Sequence, residues 1–204
     1  MVTPMSNWLI ASNNLFKAAD LQKDLAFFGL TAIPYTDCLA PLTFPAETTT
    51  SYVTNAITKA RFLCRQTGQA AIADDSGIEI PILASHLGVT TKRELHEKAN
   101  GSDNQTLLAW LTDYSGTDRN ATMRSTLAVV IPNGPTITAT GSVTGQIARH
   151  NLGRFSTGFD KIFWLPKLGK TLAELPDSQR IPLTHRGRAA QQLINMLRRK
   201  ELIP

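Results

Sequence analysis

Ala70-Ala71-Ile72-Ala73-Asp74-Asp75-Ser76-Gly77 decides how this chain is read. Ala70 to Ala73 are small or apolar, too few for a helix and suited to a short buried strand. Two adjacent carboxylates follow, and Ser76-Gly77 reads as a turn. A strand that ends in paired acids sets both at the mouth of a sheet, the edge where open α/β sheets bind ligands. Neighbouring carboxylates repel, so they hold a cation or divide into acid and base roles. An Asp-rich turn that caps the next element is the bland alternative. The surrounding chain decides between the two.

Upstream, Tyr52 to Arg65 has a helical pattern, with Val53, Ala56, Ile57, Ala60 and Cys64 as its apolar face. Tyr52, Asn55 and Lys59 fall on a different face, and Gly68 stops the helix. A helix packed on the sheet in this way can aim Lys59 at the two acids; a solvated lysine is the ordinary alternative. Thr36 to Thr50 is a loop with Pro41 and Pro45 that carries Glu47 in a Thr-rich run, and Thr31 to Tyr35 before it reads as a strand. The chain opens with a strand at Trp8–Ala11, a polar Ser12-Asn13-Asn14 loop and a helix from about Leu15 to Phe28. Leu21, Leu25 and Phe28 line one helical face, and Gly29 ends it. Backbone N–H groups at such a helix start form an anion site. Lys17 lies in the first turn, where the helix dipole disfavours a cation and a phosphate would explain it. Asn13 or Asn14 as a plain N-cap beside a solvated Lys17 explains the segment as well.

Downstream, Ile78-Glu79-Ile80 alternates as an edge strand would and stops at Pro81. Leu83 to Asn100 is irregular or weakly helical, with Lys92, Arg93 and Lys98, and Asn104 to Tyr114 is a helix capped by Ser102 or Asp103. Met123, Ser125, Leu127, Val129 and Ile131 alternate as in a half-buried strand. Pro132-Asn133-Gly134-Pro135 turns the chain into a second strand, Thr136 to Val143, so the pair is a hairpin and the sheet is mixed. Arg154 to Asp160 is a loop of contact-prone residues, and Ile162 to Leu165 is a short strand. Lys167 to Thr171 has the look of a P-loop end, but Trp164 stands where that motif requires glycine. Leu172 to Leu175 is a helical turn closed by Pro176. Thr184-His185-Arg186-Gly187-Arg188 opens the last helix, whose apolar face is Ala189, Leu193, Met196 and Leu197. His185 and Arg186 are again cations at the unfavourable helix end, so two helices point to one anionic ligand.

The 204 residues suffice for one large or two-lobed domain, and 42% hydrophobic with 18% charged residues is ordinary for a globular protein. The net charge of +5 suits a polyanionic ligand, either nucleotide or nucleic acid, while the Arg198-Arg199-Lys200 run reads equally as a solvated face. Cys38 and Cys64 have neither metal spacing nor a disulfide framework. No signal-peptide pattern and no apolar run of membrane-spanning length occurs, so a cytoplasmic location without membrane association is expected. No repeat, linker or clean domain boundary is seen, and residues 1–204 are expected to form a single domain with 1–6 as an irregular tail.

In order along the chain, these pieces resemble the inosine triphosphatase, or Ham1-like, family of pyrophosphatases that act on non-standard purine nucleoside triphosphates. Ser12-Asn13-Asn14 with Lys17 is similar to its opening loop, and Glu47 with Asn55-Ala56-Ile57-Thr58-Lys59-Ala60 to its loop-and-helix motif. Ala73 to Gly77 matches Ala-Asp-Asp-Ser-Gly, and Thr91-Lys92-Arg93 is a weak echo of Ser-Ala-Arg. Thr157-Gly158-Phe159-Asp160, Gly169 to Leu175 and Thr184 to Gly187 match the later motifs. The resemblance implies an inosine triphosphatase-like, two-lobed mixed-sheet α/β fold with a nucleotide cleft between lobes, and a homodimer. It implies Mg²⁺-dependent hydrolysis of ITP, dITP or XTP to the monophosphate and pyrophosphate. Glu47 and Asp75 would hold the metal, and Asp75, Asp74 and Lys59 form the catalytic set. Lys17, Lys59, Arg180 and Arg186 would clamp phosphate oxygens, with Ser12, Asn13, Asn14, Ser76, Thr157, Gly158, Phe159, Asp160 and His185 completing the substrate site. Thr157 departs from the family, which has a base-stacking Phe there; Phe159 and Lys161 replace a Tyr and a Pro, and Arg180 stands for a family Lys. A related pyrophosphatase with altered base preference is therefore an alternative, as is an inactive nucleotide-binding relative. A basic nucleic-acid-binding domain is the distant one, although the aromatics are scattered rather than arranged in a stacking stripe, so no stable nucleic-acid partner is expected.

Overall fold

The structure is a computed structural model that describes residues 8–97 and 101–204; the expected tail at 1–6, and Lys98 to Asn100, lie outside the described residues. In chain order the strands and helices are β1 (Trp8–Ile10), α1 (Leu15–Phe27), β2 (Ala32–Pro34), α2 (Tyr52–Thr67), β3 (Ala71–Glu79), α3 (Thr91–Glu97), α4 (Asp103–Trp110), β4 (Asn120–Val130), β5 (Thr136–Ile147), β6 (Phe163–Leu165), β7 (Lys170–Thr171), α5 (Asp177–Arg180) and α6 (His185–Arg199). The seven strands run in the order β2-β1-β3-β4-β5-β6-β7. β1 pairs in parallel with β2 and β3, whereas β6 pairs antiparallel with β5 and β7, so the sheet is mixed as expected.

The chain divides into two compact units, one made of residues up to Asp75, Ser125–Gly141 and Arg186–Pro204, the other of Ser76–Arg124 and Ser142–His185. In the first unit, strand alternation sends Ile10, Ile72, Leu127 and Val129 to one face, where they pack with Leu21 and Leu25 of α1 and Leu193, Ile194 and Leu197 of α6. Leu9, Ala71, Ala73, Ala128 and Val130 leave by the other face and pack with Ala56, Ala60 and Leu63 of α2. With both faces covered, the last six residues of β4 are all buried, and the half-buried alternation expected there holds only in its first half. α2 starts on the Ser51 side chain, which accepts from the Thr54 N–H at 3.1 Å. It ends at Gly68, whose φ of 66° is left-handed and whose N–H closes onto the Cys64 carbonyl. Its buried residues are Asn55, Ala56, Ala60, Leu63 and Cys64. Val53, expected on the apolar face, is exposed, because the helix is rotated to bring Leu63 and Asn55 inward.

In the second unit, Ile78 and Ile80 pack with Leu95, Leu107, Met123, Val143, Ile147 and Phe163. α4 opens with Ser102 and Gln105 capping each other's backbone N–H. β6 lies so close to β5 that a Cβ on Gly145 would come within 2.4 Å of the Trp164 carbonyl oxygen.

One expectation is corrected. Asp74-Asp75-Ser76-Gly77 is not a turn, and Ile78-Glu79-Ile80 is not a separate edge strand: β3 runs unbroken from Ala71 to Glu79, between β1 and β4. Ser76 and Gly77 are weak turn signals: β1 accompanies β3 only at Ala71 and Ile72, but β3 continues beside β4, and the buried Ile78 that follows packs in the core.

Candidate active site

Because β3 is straight through the two acids, Asp74 and Asp75 leave the sheet on opposite faces. Asp74 follows Ile72 onto the face covered by α1 and α6. Its Oδ1 accepts from Ser125 Oγ on β4 at 2.6 Å, and its Oδ2 accepts from Arg186 Nε, in the first turn of α6, at 3.2 Å. Burial opposes its charge, but Arg186, Lys17 and the Ser125 hydroxyl hold its carboxyl far below the usual carboxylate range. Asp74 is a fixed anion. Arg186 gains in return: burial disfavours its charge, and Asp74 with Asp24 and Asp20 more than restores it. Lys17, in the first turn of α1, has its ammonium's proton affinity lowered by burial, which nearby Asp74 only partly offsets.

Asp75 follows Ala71 and Ala73 onto the face covered by α2. Its Oδ2 accepts from Asn55 Nδ2 at 3.0 Å and its Oδ1 from Lys59 Nζ at 3.2 Å. Burial pushes its carboxyl above the ordinary aspartate value, and the favourable contacts with Lys59 and Asn55 do not cancel that. The two neighbouring acids thus have proton affinities driven apart, the pattern of divided acid–base roles. Lys59 Nζ also donates to Glu47 Oε1 at 2.8 Å and to the Asp74 carbonyl at 2.7 Å. Burial penalises this ammonium, yet Asp75 and Glu47 outweigh the penalty and raise its proton affinity. Sequence spacing on α2 aimed Lys59 at the acids, and it reaches them.

The Ser12-Asn13-Asn14 loop is organised by its own side chains. Asn14 Oδ1 accepts from the Lys17 N–H at 3.1 Å as an N-cap, and Ser12 Oγ accepts from the Asn14 N–H at 3.1 Å. Asn13 Nδ2 donates to the Leu42 carbonyl at 2.8 Å, while the buried Tyr35 hydroxyl donates to Asn13 Oδ1 and accepts from the Leu42 N–H. This ties the opening loop to the segment that carries Glu47. Lys17, Glu47, Lys59, Asp74, Asp75 and Arg186 are all in the first unit. Among the described residues no group of three or more His, Cys, Asp or Glu side chains is placed to hold a metal. Glu47 and Asp75 do converge, with the Lys59 ammonium between them.

The remaining candidates from Ser76 to His185 lie in the second unit. Asp160 Oδ2 accepts from Ser156 Oγ at 2.7 Å and from an Arg180 guanidinium nitrogen at 2.9 Å, and the other end of Arg180 donates to Asp177 Oδ1 at 2.7 Å. Arg180, expected as a phosphate clamp, is ion-paired with Asp160 of the 157–160 loop and with Asp177. Asn104 holds the same loop by donating to the Gly158 carbonyl at 2.8 Å. Thr157 is exposed, and Phe159 packs partly buried against the core of this unit. Phe155 is 46% exposed, with the Arg154 guanidinium 5.3 Å from its ring centre. His185 is buried at the start of α6.

Sequence reasoning missed Ser125, Tyr35 and the role of Asn55. Ser125 and Tyr35 carry no local signal, because their partners are distant in the chain. Asn55 had one: a polar residue among the small residues of an amphipathic helix.

The sequence profile of the Ham1 family matches residues 8–196. A dITP/XTP pyrophosphatase from Verminephrobacter eiseniae is 38% identical over 200 residues, covering 95% of this chain and 98% of that relative. A dihydroneopterin triphosphate diphosphatase from Limosilactobacillus reuteri is 36% identical over 193 residues, covering 94% and 98%. Among solved structures, a HAM1 protein from Coxiella burnetii superposes with a TM-score of 0.77 at 34% identity, covering 96% of this chain and all of that one. With its mixed seven-stranded sheet and its divided pair of aspartates, the chain belongs to the Ham1 family.

Proposed function

We infer that this protein hydrolyses non-standard purine nucleoside triphosphates (dITP, ITP, XTP) to the nucleoside monophosphate and pyrophosphate. The observation that carries the reading is the split of Asp74 and Asp75. One is an ionised anchor for Arg186 and Lys17; the other is a buried carboxylate of raised proton affinity beside Lys59 and Glu47. Lys17 and Arg186 stand at the starts of α1 and α6, where backbone N–H groups add to their attraction for phosphate. Asp75 takes the proton of the attacking water as its oxygen bonds to the α-phosphorus and the α–β bridging bond breaks, with pyrophosphate as leaving group. Lys59 fixes one oxygen of Asp75 and leaves the acid poised rather than mobile.

Mg²⁺ fits the donor set. Glu47 and Asp75 already converge on one cationic centre, the Lys59 ammonium, and Mg²⁺ needs only one or two carboxylates, with water and substrate phosphate for the rest. When bound, the ion offsets phosphate charge and makes water more acidic. Glu47 and Asp75 would hold it. Ser12, Asn13 and Asn14 are proposed to frame the phosphate side, and Ser76, Thr157 to Asp160, Arg180 and His185 are further proposed substrate contacts, with Arg180 also paired to Asp160. A homodimer and a cytoplasmic location remain part of this proposal; no described helix is long and apolar enough to cross a membrane.

Thr157 favours a second reading within the same chemistry. With an exposed threonine in place of an aromatic, the heterocycle is read less strictly, and the Limosilactobacillus relative is named for a pterin triphosphate. The test is pyrophosphate release from dITP, ITP, XTP, ATP and dihydroneopterin triphosphate, with and without Mg²⁺. Preference for the keto purines supports the first reading, and preference for the pterin the second. A protein that releases no pyrophosphate from any of them is the inactive relative.

A further inference from the structure

Asn55 is 1% exposed, on the buried face of α2. A primary amide has two N–H donors and an oxygen with two lone pairs, and here all four positions are used. Nδ2 donates to Asp75 Oδ2 at 3.0 Å and to the Thr48 carbonyl at 3.1 Å. Oδ1 accepts from the Thr48 N–H at 2.8 Å and from the Thr48 hydroxyl at 3.0 Å. One amide therefore ties a carboxylate on β3 to the residue that follows Glu47 in the loop. Three of the four bonds go to Thr48 and hold the loop. The fourth commits one oxygen of Asp75 to Asn55, which leaves Oδ1 directed at the point where Glu47 Oε1 also arrives, 3.2 and 2.8 Å from Lys59 Nζ.

We propose that Asn55 is a positioning residue that sets Glu47 and Asp75 against each other as one cation-holding pair. The inference rests on the metal-dependent reading above. No other side chain of this size donates twice and accepts twice: aspartate loses both donors, leucine loses all four groups, and glutamine is longer by a methylene. Groups that orient ligating carboxylates typically cost about 10–100-fold in metal affinity or activity when removed.

The experiment measures Mn²⁺ binding to the resting protein, without nucleotide, by the loss of the free-ion electron paramagnetic resonance signal. The parent, Asn55→Ala, Glu47→Gln and the double variant are compared, each with its thermal melt. Asn55→Leu, which conserves volume, serves where Asn55→Ala does not fold. Asn55→Ala or Asn55→Leu should weaken Mn²⁺ binding by about 10–100-fold. The double variant should bind no more weakly than the weaker single one, because both changes disable the same pair. Parent-like Mn²⁺ affinity in a folded Asn55 variant overturns the proposal. A parent that binds no Mn²⁺ overturns the metal reading instead, and turnover then judges Asn55. A loss of at least about tenfold in kcat at little-changed KM supports positioning, and unchanged kcat refutes it.

Discussion

Asp74 and Asp75 face opposite sides of β3, and each is governed by what that side supplies. Asp74 meets Arg186, Lys17 and Ser125 in a buried setting, so its charge is structural. Asp74→Asn removes the nearest of the three carboxylates that support the buried Arg186 guanidinium, and breaking a buried pair typically costs up to about 3–5 kcal/mol. Urea denaturation should show that loss at neutral pH. A carboxyl held below its unfolded value of 3.8 stabilises the fold above that value, and the stabilisation is lost as pH falls through the folded value. The parent should therefore weaken on acidification below the ordinary aspartate range, and Asp74→Asn should not share that part of the loss. Asp75 is the reverse case. Its carboxyl is raised above 3.8, so its contribution is fully present below that value and disappears as pH rises through the folded value. At neutral pH, Asp75→Asn should keep or improve stability while turnover falls by about 10²–10⁴-fold, the usual span for a lost general base. A variant with near-parent turnover would take the base role away from Asp75.

At the scale of elements, the site is built by two packed helices and one stapled loop. α6 brings Arg186 to Asp74 because Leu193, Ile194 and Leu197 bury its apolar stripe on the sheet. α2 brings Asn55 and Lys59 to Asp75 in the same way from the other face. The loop between β2 and α2 has no regular hydrogen-bond ladder at Glu47, and it is held instead by Thr48 on Asn55 and by Leu42 on Tyr35 and Asn13. Tyr35→Phe removes both hydroxyl bonds and strands the Leu42 N–H, for a cost of about 1–3 kcal/mol. Limited proteolysis should then cut between residues 36 and 50 earlier than in the parent, with pyrophosphate release reduced through the displaced Glu47. An unchanged digestion pattern would show that the loop is secured without the Tyr35 hydroxyl.

For the whole molecule, a net charge of +5 coexists with local engagement of several cations. Lys59, Arg180 and Arg186 are engaged with carboxylates, and Arg198 donates to the carbonyls of Phe28 and Pro204. Substrate choice is the property that needs the complete chain. Thr157→Phe restores an aromatic worth about 1–3 kcal/mol in stacking. It should sharpen preference for ITP over ATP by about tenfold, mainly through KM. Phe155→Ala should erode whatever preference the parent has, since Phe155 is the more exposed ring and Phe159 packs partly buried against the core. If neither change moves the ratio, selectivity comes from hydrogen bonds to the purine edge. Glu47→Gln should raise the Mg²⁺ needed for half-maximal rate more than it raises KM at saturating metal. A metal titration superimposable on the parent's would return Glu47 to the role of a loop acid that pairs with Lys59.

Local pattern alone determined the long elements of this protein. The spacing of Leu21 and Leu25, the apolar face of Ala56, Ala60 and Cys64, the stop at Gly68 and the turn at Pro132–Pro135 each act within a few residues, so α1, α2 and the β4–β5 hairpin are legible without a fold. The motif order likewise led to the family, and the spacing on α2 made Lys59 a candidate to reach the acids beside the alternative of a solvated lysine, which the contact with Asp75 decided. Only the tertiary structure decided that Ser76-Gly77 is strand and not turn, because the strand beside which β3 continues, β4, lies far away in the chain. It also decided that Val53 faces out and Asn55 in, and that Arg180 braces Asp160. Above all it separated Asp74 from Asp75: adjacent letters became opposite faces, and a buried carboxylate's charge depends on the groups that long-range packing brings within a few ångströms of it.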